Sequence, residues 1–171
     1  MNNLIKKHAK SFYWASFFLS KPIFNKCSCL YNFCRTLDDI VDDDKRLEIK
    51  KENFLKFKKE FINRDNKNTI IKEMWSIIDK ERISKQVVMD LFDGVETDLK
   101  EKVEINSKKE LLIYSYRVAG TVGLMMSKIL KVNNREALKG AVDLGIAMQL
   151  TNIARDVCED KARNRQYVNH D

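Results

Sequence analysis

Polar and apolar positions divide this chain into helix-length stretches with few breakers between them. Asn3 to Ser20 reads as a first helix, ended by Lys21-Pro22. Its cluster Ser11-Phe12-Tyr13-Trp14 reads, on composition, as core packing. Pro22 to about Asp43 forms a second helix, with proline in the first turn where it is preferred. Arg46 to Ile62 is strongly charged and amphipathic, and Asn63 to Asn68 is the expected loop. Thr69 to Asp79 is a short helix holding Trp75. Ser84 is placed to N-cap a helix reaching about Lys100, on which Glu96 reads as part of a solvated face. Ser107 and Glu110 make a capping box for a helix running through Tyr114, Tyr116 and Arg117 into V-A-G-T-V-G at 118–123. Asn133 or Asn134 opens the last long helix, which continues past Gly140 and Gly145 to Asp160. The tail from Lys161 shows no clear stopping structure.

Composition agrees with that succession. One Pro and five Gly in 171 residues argue against a sheet protein with many turns. The expected class is all-α, in a single domain over 1–171, and the length allows a sizeable core. The net charge of +7 gathers at Lys6, Lys7, Lys10 and from Lys45 to Lys59. Solvated helix faces account for it, and no nucleic-acid partner is expected. Cys27, Cys29, Cys34 and Cys158 lack zinc or disulfide-framework spacing, so reduced core thiols in a cytoplasmic protein are expected. No signal peptide is evident, and the longest apolar run, Phe12 to Leu19, is too short to span a bilayer. Peripheral membrane contact stays open.

Two polar stripes change the picture. On a helix each residue advances roughly 100°. Gln149, Asn152, Asp156 and Asp160 then share an arc of about 80° on a helix otherwise apolar enough to be largely buried. Tyr31, Arg35, Asp38 and Asp42 share about 60° on the second helix. Carboxylates four residues apart repel, and Asp38 to Asp44 crowds acids at a helix C-terminus, where the dipole disfavours them. Positive charge must compensate. Carboxylates, amide oxygen and water form a hard-oxygen site suited to Mg²⁺, which completes its shell with substrate phosphates. Arg35 and Arg155 stand beside the stripes and can contact phosphate oxygens. A di-iron bundle would require Glu-x-x-His pairs, which neither stripe contains. Surface acids paired with lysine are the better reading of one stripe alone, whereas two matching stripes each flanked by arginine favour the cation site over that alternative. An apolar helical cavity holding diphosphate on Mg²⁺ suits ionisation chemistry, with the carbocation kept from water.

The segments S-F-Y-W-A-S-F at 11–17, L-Y-N-F-C-R-T-L-D-D-I-V-D at 30–42, Y-S-Y-R-V-A-G-T-V-G-L-M at 114–125 and A-M-Q-L-T-N-I-A-R-D-V-C-E-D at 147–160 resemble the squalene/phytoene synthase family, in family order and nearly end to end. The likeness is greatest to the bacterial phytoene-forming members. The resemblance implies an all-α isoprenoid synthase bundle around a central cavity. It implies head-to-head condensation of two prenyl diphosphates through a cyclopropylcarbinyl diphosphate, from geranylgeranyl diphosphate to phytoene. A squalene- or dehydrosqualene-type reaction from farnesyl diphosphate, or a non-catalytic assembly factor, is the alternative. It implies Asp38 and Asp42 as the first aspartate-rich motif, with Asn152, Asp156 and Asp160 in the second, holding Mg²⁺ or Mn²⁺. Ser11, Phe12, Tyr31, Arg35, Gln149 and Arg155 match positions lining the substrate site, and Tyr114 and Asp98 match active-site positions. NADPH is not expected for a phytoene-type reaction.

Two departures stand out. Cys158 replaces the family's usual Gly, and Asn164-Arg165-Gln166-Tyr167-Val168-Asn169 replaces G-R-x-Y-L-P. The family fold also continues for several more helices, so the domain is expected to be partial, with a cavity incomplete at the C-terminus and weak or no activity alone.

Overall fold

The computed structural model describes residues 18–168. Ser11, Phe12 and the rest of the expected first helix up to residue 17 lie outside them. The described chain is helical almost throughout. Helix α1 spans Lys21–Asp42, with Pro22 in its first turn, and buries Cys27, Leu30, Phe33, Leu37 and Val41 along one stripe. Helix α2 (Leu47–Ile62) buries Phe54, Phe57 and Phe61. Helix α3 (Thr69–Glu81) is capped by the Asn68 side chain, which accepts from the Ile70 and Ile71 amides. Helix α4 (Lys85–Glu96) is capped by Ser84 and passes into a 3₁₀ turn at Thr97–Leu99, so it stops short of the expected Lys100.

These helices enclose an aromatic core. Phe33 meets Phe92 edge-to-face at 5.8 Å, and Phe61 stacks on Trp75 at 4.9 Å. Trp75 keeps its buried N–H satisfied by donating to the Phe61 carbonyl at 2.8 Å. Arg64 covers the outer face of that indole, 3.8 Å from the ring centre.

Helix α5 (Lys108–Ser115) begins on Ser107, whose Oγ accepts from the Glu110 amide. Glu110 closes the cap on the Asn106 amide, one residue earlier than the expected box. A π-helical turn at Tyr116–Gly120 leads into α6 (Thr121–Ile129). Helix α7 (Arg135–Arg155) starts on Asn134. The glycines of the V-A-G-T-V-G stretch serve helix packing. A Cβ on Gly123 would sit 2.3 Å from the Ala141 carbonyl oxygen, and one on Gly145 would sit 2.5 Å from that of Ala119. Only hydrogen allows α7 to lie this close to the π turn and α6.

The last helix departs from expectation twice. It breaks at Asp156 (φ −102°, ψ 15°) and restarts as α8 (Val157–Ala162). The ladder survives the break, because Asp156 donates to Asn152 O and Asp160 donates to Asp156 O. The helix is also not largely buried. Ile153 is its one buried residue, and Leu144 and Met148 are exposed. Its apolar residues surround it instead of forming one face, and the described elements cover only one side.

The tail does have a stopping structure. Asn164 turns it with φ 58°, and β2 (Arg165–Gln166) pairs in parallel with β1 (Val103–Glu104). A second, small core of Val103, Ile105, Tyr114, Ile153 and Tyr167 forms beneath this pairing. Two strands of two residues leave the class all-α. The four thiols are free, as expected, but Cys158 is exposed rather than in the core. No described helix is long and apolar enough to cross a membrane.

Candidate active site

The acidic ends of α1 and of α7–α8 face one cavity of about 800 Å³. Arg35, Asp38 and Asp42 reach it from α1, and Gln149, Asn152, Arg155, Asp156 and Asp160 from α7 and α8. Asp98 and Tyr114 form its floor, while Val41, Val95, Val118 and Ile153 provide its apolar wall. Stripes more than a hundred residues apart thus meet as their spacing implies. Tyr31 continues the α1 stripe one turn back but is not among the lining residues.

Charge in the cavity is unevenly compensated. Desolvation in the cleft, followed by the neighbouring Asp42, pushes the Asp38 carboxyl up to about 6, against the opposing pull of Arg35. Arg35 instead pairs with Asp39 at 2.7 Å. Arg155 chelates Asp156 with two hydrogen bonds of 2.6 Å, which hold that carboxyl below its usual range. Burial raises Asp160, with Arg165 opposing it.

The floor is a hydrogen-bonded triad. Tyr167 donates to Asp98 Oδ1 at 2.7 Å and Tyr114 donates to Asp98 Oδ2 at 2.9 Å. The two phenol rings stack at 4.9 Å. Burial raises Asp98 despite Arg165 and both hydroxyls, and burial beside Asp98 raises both phenols. Both tyrosines therefore keep their protons across the ordinary pH range.

Sequence reasoning missed Tyr167, Arg163 and Arg165, all cavity-lining. Arg165 and Tyr167 match the R and Y of the G-R-x-Y pattern, and Arg163 stands just before it. Asn164 was a further signal: after Gly, Asn best tolerates positive φ, and here it sits at φ 58°. Cys158 needs no such tolerance, because it lies within α8 and is not a positive-φ residue.

The profile of squalene/phytoene synthases matches residues 5–171. The chain belongs to that family. Phytoene synthase 1 of Zea mays is 31% identical over 98% of this chain and 43% of its own length. The phytoene synthase of Rhodobacter capsulatus is 31% identical over 96% and 50%. The chain therefore spans about half the length of these curated relatives. A crystal structure of a dehydrosqualene synthase superposes with a TM-score of 0.76 at 33% identity, covering 96% of this chain and 58% of that one. A squalene synthase from Alicyclobacillus acidocaldarius shares the fold, with a TM-score of 0.74 at 19% identity. The isoprenoid synthase bundle is thus the fold of this family member.

Among the described residues, no three His, Cys, Asp or Glu side chains gather as a ready-made metal cluster. The donor set nevertheless fits Mg²⁺, which takes one or two carboxylates and leaves its other positions to water and phosphate. Asp38 and Asp42 from α1 and Asn152, Asp156 and Asp160 from α7 and α8 supply carboxylate and amide oxygens to the one cavity.

Proposed function

We infer that this cleft is the ionising site of a head-to-head prenyl synthase that joins two geranylgeranyl diphosphates into phytoene through a cyclopropylcarbinyl diphosphate. The observation that carries this reading is the convergence of Asp38 and Asp42 with Asn152, Asp156 and Asp160 on one cavity that also has an apolar wall. Those five residues would hold Mg²⁺, and Mn²⁺ suits the same oxygen donors. When bound, the cation neutralises the departing diphosphate as its bond to carbon breaks.

The chain's own residues do the rest. Arg35 and Arg155 present guanidinium donors to phosphate oxygens. Gln149 and Asn152 offer amide donors and acceptors along the same stripe. Val41, Val95, Val118 and Ile153 keep water from the allylic cation. Tyr114 keeps its proton and offers a dipolar wall, because ionising it would place a second negative charge against Asp98. No nicotinamide reductant is needed for phytoene. The product is a hydrocarbon, so we place the protein in the cytoplasm with peripheral contact to the membrane that receives it. A dehydrosqualene-type reaction from farnesyl diphosphate is the second reading, supported by the 33% identical dehydrosqualene synthase.

The test is incubation with labelled geranylgeranyl and farnesyl diphosphates and Mg²⁺, with and without NADPH. The chain is assayed by itself and joined to the remaining half of the Rhodobacter capsulatus enzyme. Phytoene from geranylgeranyl diphosphate without reductant is expected. A product only from farnesyl diphosphate would transfer the assignment to the second reading, and no diphosphate release in either format would defeat both.

A further inference from the structure

Two arginines from the tail converge on one oxygen of the first acidic motif. Arg165 Nη1 donates to Asp42 Oδ1 at 3.0 Å, and Arg163 Nη1 stands 3.1 Å from that same oxygen. Asn164 lies between them in the left-handed region and turns both toward α1. The two guanidiniums differ in depth: the Arg163 side chain is 41% exposed and that of Arg165 only 12%. A guanidinium that deep needs negative charge around it. Asp42 supplies it from α1, Asp98 from the end of α4, and Asp160 from α8. Arg165 therefore lies between the two acidic motifs, where a cation shared by them would place its own charge.

We propose that Arg163 and Arg165 form a latch on Asp42 that a divalent cation must displace, so that loading the cleft with metal turns both guanidiniums away from Asp42, Arg163 keeping its 3.0 Å bond to Glu159. This rests on the reading of Asp42 and Asp160 as cation ligands. The exchange conserves charge pairing. Asp42 passes from arginine to the cation, and the released guanidiniums turn to the phosphate oxygens that arrive with it. The latch also keeps the motif carboxylates from repelling one another in the metal-free chain, which Arg35 and Arg155, tied to Asp39 and Asp156, do not do for Asp42.

The experiment measures binding of Mg²⁺ by calorimetry and of Mn²⁺ by electron paramagnetic resonance, using the whole chain with no substrate. Arg163→Gln removes the exposed half of the latch, and Arg163→Gln/Arg165→Gln removes all of it, with helicity checked by circular dichroism. Lys45→Gln is the charge-matched control for the single variant, since Lys45 pairs with Asp43 at 2.6 Å and not with Asp42. Both arginine variants should bind the cation about two- to fivefold more tightly than wild type, and more tightly than Lys45→Gln. An equal gain in the control would reduce the effect to the general field and overturn the latch. Unchanged or weaker binding would overturn it too, while leaving the cation site in place. Absence of binding to wild type and every variant would instead defeat the cation reading itself, and the latch with it. A second readout is independent of affinity: arginine Nε–H signals of residues 163 and 165 should shift on adding Mg²⁺, while that of Arg64, held by Asp79 at 3.1 Å, stays. Signals at 163 and 165 that do not move at saturating Mg²⁺ would show the latch still closed and overturn the proposal.

Discussion

Tyr167 donates its hydroxyl to Asp98 at 2.7 Å across 69 residues of sequence. With Tyr114 on the other carboxylate oxygen, this bond ties the tail to the 3₁₀ turn after α4 and to the last turn of α5. Tyr167→Phe keeps the stacked ring and loses one donor to a buried carboxylate. The expected cost is about 1–2 kcal/mol in urea unfolding. The Asp98 carboxyl should also rise further, because a hydrogen bond to the charged form has been removed. A carboxyl-carbon NMR titration reads that change, and an Asp98 signal with wild-type titration would show the bond to be of no consequence.

Asn164 supplies the turn that aims Arg165 and Tyr167. At φ 58° a β-branched side chain is strained, while Gly is at ease. Asn164→Val should destabilise by about 1–2 kcal/mol and Asn164→Gly should be near neutral. Thermal unfolding of the three proteins distinguishes the cases. Equal loss in both variants would mean that the Asn side chain, not the backbone angle, is what matters there.

The local rules held where one element decides the outcome. Asn68, Ser84, Ser107 and Asn134 accept from the first amides of their helices, and the stripe at Arg35, Asp38 and Asp42 lines the cavity with its counterpart on α7 and α8. What could not be read depends on partners far away in sequence. Nothing local reveals what Arg163 or Arg165 pairs with, since the partner of both is Asp42 on α1. Burial of the last helix was misjudged for the same reason. Apolar composition says that Leu144 and Met148 can be buried, not that a described neighbour reaches them. The break at Asp156 is a different case: it carries no Gly or Pro, and the Arg155 chelate beside it joins sequence neighbours.

Gly123 and Gly145 pack against backbone, which cannot swing aside as a flexible side chain can. Gly123→Ala or Gly145→Ala should therefore separate α7 from its neighbours and cost about 1–3 kcal/mol or more. Gly140 has nothing within 4 Å of its would-be Cβ, so Gly140→Ala should gain about 0.5–1 kcal/mol by helix propensity alone. Opposite signs in chemical denaturation are the expected outcome, and a loss at all three positions would argue against the close-packed interface.

Glu81 is nearly inaccessible and is held between Lys131 and Lys26, the latter at 2.6 Å. Hydrogen bonds from Lys131 first, then Lys26, pull its carboxyl below the ordinary 4.5. A depressed folded value means stability that is present above the unfolded value and lost as pH falls through the folded one. Wild type should therefore weaken progressively below about pH 4.5, and Glu81→Gln should show a flatter acid limb while being less stable at pH 7. Urea midpoints between pH 3 and 7 (~1 unit steps suffice) test both features, and parallel acid limbs would remove Glu81 from the account.

Asp38 predicts the opposite sign. Its folded value of about 6 lies above the ordinary 3.8, so the unfolded chain ionises first as pH rises. The group's contribution is complete below about pH 4 and is lost by about pH 6. Asp38 is open to the cleft, so solvent discounts the penalty to about 1 kcal/mol. Asp38→Asn should accordingly unfold at higher urea than wild type at pH 7, with the difference vanishing near pH 4. Adding Mg²⁺ should reverse the order. A cation bound to the folded state stabilises it by mass action, and the variant lacks a carboxylate to hold it. In turnover assays the same substitution should abolish ionisation of the first diphosphate, so the position would trade resting stability for cation capture. A variant less stable than wild type at pH 7 without metal, or equally stabilised by Mg²⁺, would remove Asp38 from the cation site.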